Sequence, residues 1–125
     1  MKCKKVSHDE IQKYEKMVDK CISLNLSLIE SGKGKIQESN TSFLASKFGI
    51  YCLEFLNTSD KKRRDHMIEL VLREGEKCFD KKYCEYELLN GNTGFIYCLL
   101  LISKEIGENS RIFDLLQKVI HSIIK

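Results

Sequence analysis

Glu87-Leu88-Leu89-Asn90-Gly91-Asn92-Thr93-Gly94-Phe95-Ile96-Tyr97-Cys98-Leu99-Leu100-Leu101-Ile102-Ser103-Lys104-Glu105-Ile106-Gly107 is the stretch on which the fold turns. It opens with a turn punctuated by Gly91 and Gly94 and runs into eight consecutive apolar residues, Phe95 to Ile102. Thr93 stands where an N-cap belongs, and Gly107 where a helix stops. A strand can carry such an apolar run. About fourteen residues, Thr93 to Ile106, pass without a second turn signal, and that length suits a helix. A helix that is apolar all round belongs inside a bundle, with neighbours on every side.

The passage occurs earlier in weaker form. Setting Leu44 on Leu89 sets Gly49 on Gly94, Ile50 on Phe95, Tyr51 on Ile96 and Leu56 on Leu101, an offset of 45 residues. A less hydrophobic helical segment follows each copy, Asp60 to Lys77 and Ser110 to Lys125. The unit is a buried helix, a turn and an amphipathic helix. A period near 45 residues with two helices per unit marks helical-hairpin arrays, in which no unit covers its apolar face without its neighbours.

Thr41-Ser42-Phe43-Leu44-Ala45-Ser46-Lys47-Phe48-Gly49 and Leu88-Leu89-Asn90-Gly91-Asn92-Thr93-Gly94-Phe95-Ile96-Tyr97-Cys98-Leu99-Leu100 resemble the second and third repeats of eukaryotic LanC-like proteins, relatives of the bacterial lanthionine cyclases. The resemblance runs from about Tyr14 to Lys125, and Gly91-x-x-Gly94 with the apolar run after it is its most specific element. The first copy departs from the Gly-x-x-Gly turn, carrying Ser46 in place of the first glycine. The resemblance implies an α/α toroid of seven inner and seven outer helices, of which this chain matches the N-terminal part. The expected fold is therefore all-α, with helical hairpin repeats forming a partial α/α toroid. Residues 1–125 make one incomplete helical-repeat domain: a helix over about 8–31, then hairpins over about 45–78 and 91–125. Gly49, Gly91 and Gly94 are the expected structural turn residues.

At 125 residues the chain is one domain at most, large enough to bury a core and far short of a seven-hairpin ring. Its 42% hydrophobic and 31% charged residues, with no proline, suit a soluble helical protein. A net charge of +3 is too small to point to nucleic acid or a membrane surface. Met1-Lys2-Cys3-Lys4-Lys5 has the charge of a signal-peptide start, but Ser-His-Asp-Glu follows instead of an apolar core. No apolar run approaches the ~20 residues that span a bilayer. A cytoplasmic location is expected, and with it free thiols at all six cysteines, Cys3, Cys21, Cys52, Cys78, Cys84 and Cys98. Cys52 and Cys98 lie inside the apolar helices, where a thiol acts as a small hydrophobe.

Ser7-His8-Asp9-Glu10 has the spacing of a capping box and predicts a helix start. Ile11, Tyr14, Val18, Cys21, Ile22, Leu28 and Ile29 then recur at helical spacing up to Gly32, giving an outer helix with one wet face. Gly32-Lys33-Gly34-Lys35 lacks the spacing of a phosphate loop and follows a helix, so it reads as an interhelical connection. Lys61-Lys62-Arg63-Arg64 is followed by Glu69, Glu74 and Glu76, which makes it a solvated helix face rather than a nucleic-acid patch. Met67, Ile68, Leu70, Val71 and Leu72 mark the inward side of that helix. The last helix carries Ile112, Phe113, Leu116, Val119, Ile120, Ile123 and Ile124, and its apolar stripe still runs at Lys125. Such an end predicts an N-terminal fragment of a longer protein, or another surface covering this helix. Apolar surface left for later repeats to cover is expected along the Phe95 to Ile102 helix and the Ile112 to Ile124 stripe, with Phe113, Val119 and Ile123 as examples of its side chains.

Cys78 and Cys84 are separated by five residues, wider than the spacing of structural zinc pairs, although His66 and Cys98 stand as further ligand types. His8, His66 and His121 are isolated on helices. The LanC-like resemblance implies addition of a thiol, glutathione in eukaryotic members, to a dehydrated amino acid, with zinc lowering the thiol pKa. In the family that zinc is held by two cysteines and a histidine, one cysteine directly preceding the histidine. Here Ser7, Asp65 and Ile120 precede the three histidines, so no ligand carries over. No catalytic, metal-binding or substrate-binding residue is assigned, and no cofactor is expected on this chain. Two functions stay open: a scaffold segment of a LanC-like enzyme, inactive alone, or a helical-repeat module that binds a protein partner. Uncovered apolar edges predict self-association or a protein partner, with no nucleic acid and no integral membrane segment.

Overall fold

The computed structural model describes residues 5–32, 46–79 and 91–124. Among these there are five α-helices and no strand: α1 (His8–Glu30), α2 (Lys47–Asn57), α3 (Lys61–Phe79), α4 (Asn92–Ile106) and α5 (Ser110–Ile124). The protein is all-α, as its sequence predicts. Most helix starts are set by a short polar side chain. Ser7 and Glu10 form the expected capping box on α1, each side chain accepting from the other's backbone amide at 3.2 Å. The Ser46 hydroxyl accepts from Phe48 N, the Asp60 carboxylate from Lys62 N and the Asn109 amide oxygen from Ile112 N. Each bond satisfies a backbone donor that the first helical turn leaves unpaired.

The α4 start corrects the expectation for Thr93. Gly91 is the N-cap, without a side-chain cap, and Thr93 lies inside the first turn. Gly49 and Gly94 also fall inside helices, each the third residue of its element and buried, rather than in the connections before them. Gly107 ends α4 with φ +76, a left-handed conformation that glycine adopts without steric cost.

Two hairpins stand side by side. α2 and α3 run antiparallel, tied at one end by Arg63 to Glu54 (3.1 Å) and at the other by Lys47 to Glu74 (2.8 Å). α4 lies parallel to α2, with Phe48 edge-on to Phe95 (centroids 4.6 Å apart), an aromatic pair that adds about 0.5 to 1.5 kcal/mol beyond burial. α5 runs parallel to α3, placing Arg111 beside Glu69 and Leu115 beside Gly75. α1 packs antiparallel on α2, with Asp19 accepting from Asn57 at its far end. One continuous core results, centred on Phe48, Phe55, Phe95, Met67, Leu72 and Leu99.

The buried faces follow from who has a neighbour. α2 is flanked by α1, α3 and α4 and buries Phe48, Tyr51, Cys52 and Phe55. Tyr97 and Leu100, the 45-residue equivalents of Cys52 and Phe55, are half-exposed on α4. The expectation of an α4 buried on all sides is thus corrected: α4 buries Phe95, Cys98, Leu99 and Ile102, while Tyr97 and Leu100 stay half-exposed. On α5, Ile112, Leu115 and Val119 are buried, while Phe113 is exposed and Ile123 intermediate, so the apolar stripe is covered in part. Residues three and seven apart share a helix face, and the covered face is the one carrying Leu115.

Candidate functional site

Three groupings of reactive or polar side chains form within this frame. The first is a thiol pair at the α2–α4 seam. Cys52 Sγ points to the carbonyl of Cys98 at 3.9 Å, and Cys98 Sγ to the carbonyl of Phe48 at 3.6 Å. Both are free and completely buried. The hydrogen bond with the Cys52 side chain, and burial after it, hold the Cys98 thiol well above its usual range. A thiol so held stays protonated and is neither a ready nucleophile nor a ready metal ligand.

The second grouping is ionic. Glu74 on α3 accepts from Lys47 at 2.8 Å and Lys77 at 3.2 Å, with Arg73 at 3.3 Å. Its carboxyl is pulled down to about 2, chiefly by the bond from Lys47. Tyr51 sits beneath, buried, and burial raises its phenol above the ordinary value while Lys47 opposes the rise. Glu74 and Lys47 neutralise one another across the hairpin, a structural pairing with no base left over.

The third is the basic run. Lys61 and Lys62 face solvent as expected, but Arg63 and Arg64 turn inward, which corrects the fully solvated reading. Arg63 pairs with Glu54, and the Arg64 guanidinium stacks 4.5 Å from the Phe55 ring centroid and reaches Glu105 at 3.9 Å. His8, His66 and His121 are all exposed. The Cys78 to Cys84 spacing, Cys3, and most of Gly32-Lys33-Gly34-Lys35 lie outside the described residues. Gly49, Gly91 and Gly94 are not brought together into a site: Gly49 belongs to α2 and the other two to the start of α4.

A concave surface lies at the outer edge of the second hairpin. Leu100 and Ser103 from α4, Gly107, Glu108 and Asn109 from the turn after it, and Ser110, Phe113 and Leu116 from α5 line an open groove of ≈ 590 Å³. Leu100, Phe113 and Leu116 give it apolar walls, and Ser103, Glu108, Asn109 and Ser110 a polar rim. A sequence reading misses it because neither helix shows which of its faces lacks a neighbour.

The family model for lanthionine synthetase C-like proteins matches residues 2–125. The chain belongs to that family. No curated protein and no solved structure matches it. Among the described residues no three His, Cys, Asp or Glu side chains gather as a metal would require. No helix among the described residues is long and apolar enough to cross a membrane.

Proposed function

We propose that this chain is a scaffold segment of a LanC-like protein and is inactive alone. The family chemistry, addition of a thiol to a dehydroamino acid to form a thioether or a glutathione adduct, would then be carried by residues outside this chain. One observation carries the reading: the use made of the reactive side chains. The described buried thiols face backbone carbonyls, Glu74 is neutralised by Lys47, and the histidines stand apart on the surface. The same reading puts the chain in the cytoplasm, where the free thiols of Cys21, Cys52 and Cys98 would persist.

The test is to incubate the purified chain with glutathione and a dehydroalanine peptide and follow peptide mass, with zinc measured on the same sample. No catalysed adduct and no stoichiometric zinc are expected. An adduct formed faster than in buffer, and lost on Cys78→Ser or Cys84→Ser, would overturn the scaffold reading. A second reading, a helical-repeat module that binds protein without catalysis, is favoured by the half-exposed Leu100 and Phe113 on the α4–α5 edge.

A further inference from the structure

α2 and α4 are repeat equivalents, but their buried cysteines are not. The 45-residue offset sets Cys52 on Tyr97 and Leu53 on Cys98. Tyr97 and Leu53 are half-exposed, while both thiols are buried. Two parallel helices turn opposite faces toward each other, so the positions that meet across their seam differ from the positions that repeat. Each helix carries a cysteine on its seam-facing side.

The contact is direct. Cys98 Sγ stands 3.6 Å from the carbonyl oxygen of Phe48, one helical turn before Cys52, and Cys52 Sγ stands 3.9 Å from the carbonyl oxygen of Cys98 itself. The thiols also hydrogen-bond one another. Cα atoms that face each other across helix axes roughly 8 to 10 Å apart are themselves roughly 3.5 to 5.5 Å apart, which overlaps the about 4.4 to 6.8 Å that a disulfide spans. Packing as small hydrophobes accounts for the burial of either thiol, but not for the meeting of both.

We propose that Cys52 and Cys98 form a reversible disulfide when the protein meets hydrogen peroxide, converting the α2–α4 seam from a packed contact into a covalent one. The Cys52 thiolate attacks one peroxide oxygen, the O–O bond breaks, and Cys52 becomes a sulfenic acid as water leaves. The Cys98 sulfur then displaces the sulfenic hydroxyl, which departs as water with the Cys98 proton. Two thiols and one molecule of hydrogen peroxide thus give one disulfide and two waters, the sulfurs oxidised and the peroxide reduced. The order of attack follows from the bond between the thiols. Cys98 holds its proton, and the bond from Cys98 keeps Cys52 below its ordinary value while burial opposes the shift. A protonated thiol does not start the reaction, but it completes it by giving its proton to the departing hydroxyl.

The closed seam admits neither sulfur to solvent, so this small, uncharged oxidant enters on local openings. The bond joins positions 46 residues apart, one in each hairpin, and the hairpins cannot separate while it stands. In a reducing compartment it is transient, returned to thiols by exchange with a small thiol. Such a latch acts on the helical frame and does not depend on where the family chemistry resides.

The test is to expose the folded 125-residue chain, freed of reductant, to hydrogen peroxide, block the remaining thiols with N-ethylmaleimide and map the peptides by mass spectrometry. A linked Cys52–Cys98 peptide pair that dithiothreitol separates is expected. The oxidised chain should unfold in urea with an equilibrium constant at least ~10-fold below that of the reduced chain, as closing a loop of this length implies. Cys98→Ala should leave a sulfenic acid at Cys52 that dimedone traps, and Cys52→Ala should leave Cys98 reduced, with helicity by circular dichroism required of both. The peptide map of the unaltered chain decides the pairing if either variant unfolds. Both thiols still free once the exposed Cys21 is oxidised, either one paired with a different cysteine, a linked pair formed only in denaturant, an oxidised chain less stable than the reduced one, or trapping at Cys98 instead of Cys52 in folded variants would each overturn the proposal.

Discussion

A β-carbon on Gly75 would stand 2.5 Å from Cζ of Phe95 and 3.2 Å from Cδ2 of Leu115. At this point the α3 backbone is touched by side chains from both helices of the second hairpin. The absence of a side chain at residue 75 lets the Phe95 ring lie flush between the two units. Gly75→Ala should therefore cost about 1 to 3 kcal/mol, the range of an overpacked core. Urea unfolding measures it. Phe95→Leu made in the Gly75→Ala background should recover part of the loss, and purely additive costs would remove the contact as the cause.

Gly107→Ala loses stability for a different reason. No atom lies within 4 Å of the added carbon, but φ is +76. The cost is backbone strain alone, about 1 kcal/mol. With ψ at −148 the conformation lies outside the αL region that Asn tolerates, so Asn should lose about as much as Ala in the same unfolding measurement.

Glu74 sets an acid limit on the first hairpin. Its carboxyl titrates at about 2 in the folded protein, below the ordinary glutamate value, because Lys47 and Lys77 stabilise the anion. A depressed folded pKa contributes stability that is present above the unfolded pKa, near 4.3, and is lost as pH falls toward about 2. Allowing for solvent screening, the loss is on the order of 1 to 2 kcal/mol. Thermal midpoints of Glu74→Gln should fall less between pH 5 and pH 2 than those of the unaltered chain. Parallel curves would show that the ion pair contributes nothing.

The thiols should separate kinetically. Cys21 is exposed and should alkylate at once, whereas Cys52 and Cys98 wait for the α2–α4 seam to open. Their labelling, followed by mass spectrometry of peptides, should be slower than that of Cys21 by on the order of 100-fold or more and should accelerate with mild denaturant. Equal rates would place the seam in solvent.

Arg64 and Lys61 are neighbours in one basic run with different work to do. Arg64→Ala removes the stacking on Phe55 and the contact with Glu105 and should cost about 1 kcal/mol. Lys61→Ala, at an exposed position, should stay within about 0.5 kcal/mol. Equal effects in chemical denaturation would return the run to a simple solvated face.

Local chemistry was legible in the chain itself. The Ser7 and Glu10 capping box, the stop at Gly107, the inward set Met67, Val71 and Leu72, and the 45-residue echo that yields two hairpins all depend on residues within a turn or two of each other, or on their repetition. Periodicity reports which side of a helix is apolar. It does not report how long the neighbour is or whether there is one. Ile11 and Ile22 belong to one stripe, yet only Ile22 is buried, because α2 ends beside Asp19. Val119 is covered and Phe113 is not, because α3 and α4 lie on one side of α5. Gly75 carries no local signal, because Phe95 and Leu115, which meet it in the fold, stand 20 and 40 residues away in the chain. These are contacts between elements, and side-chain packing at close range, rather than helical spacing, decides them.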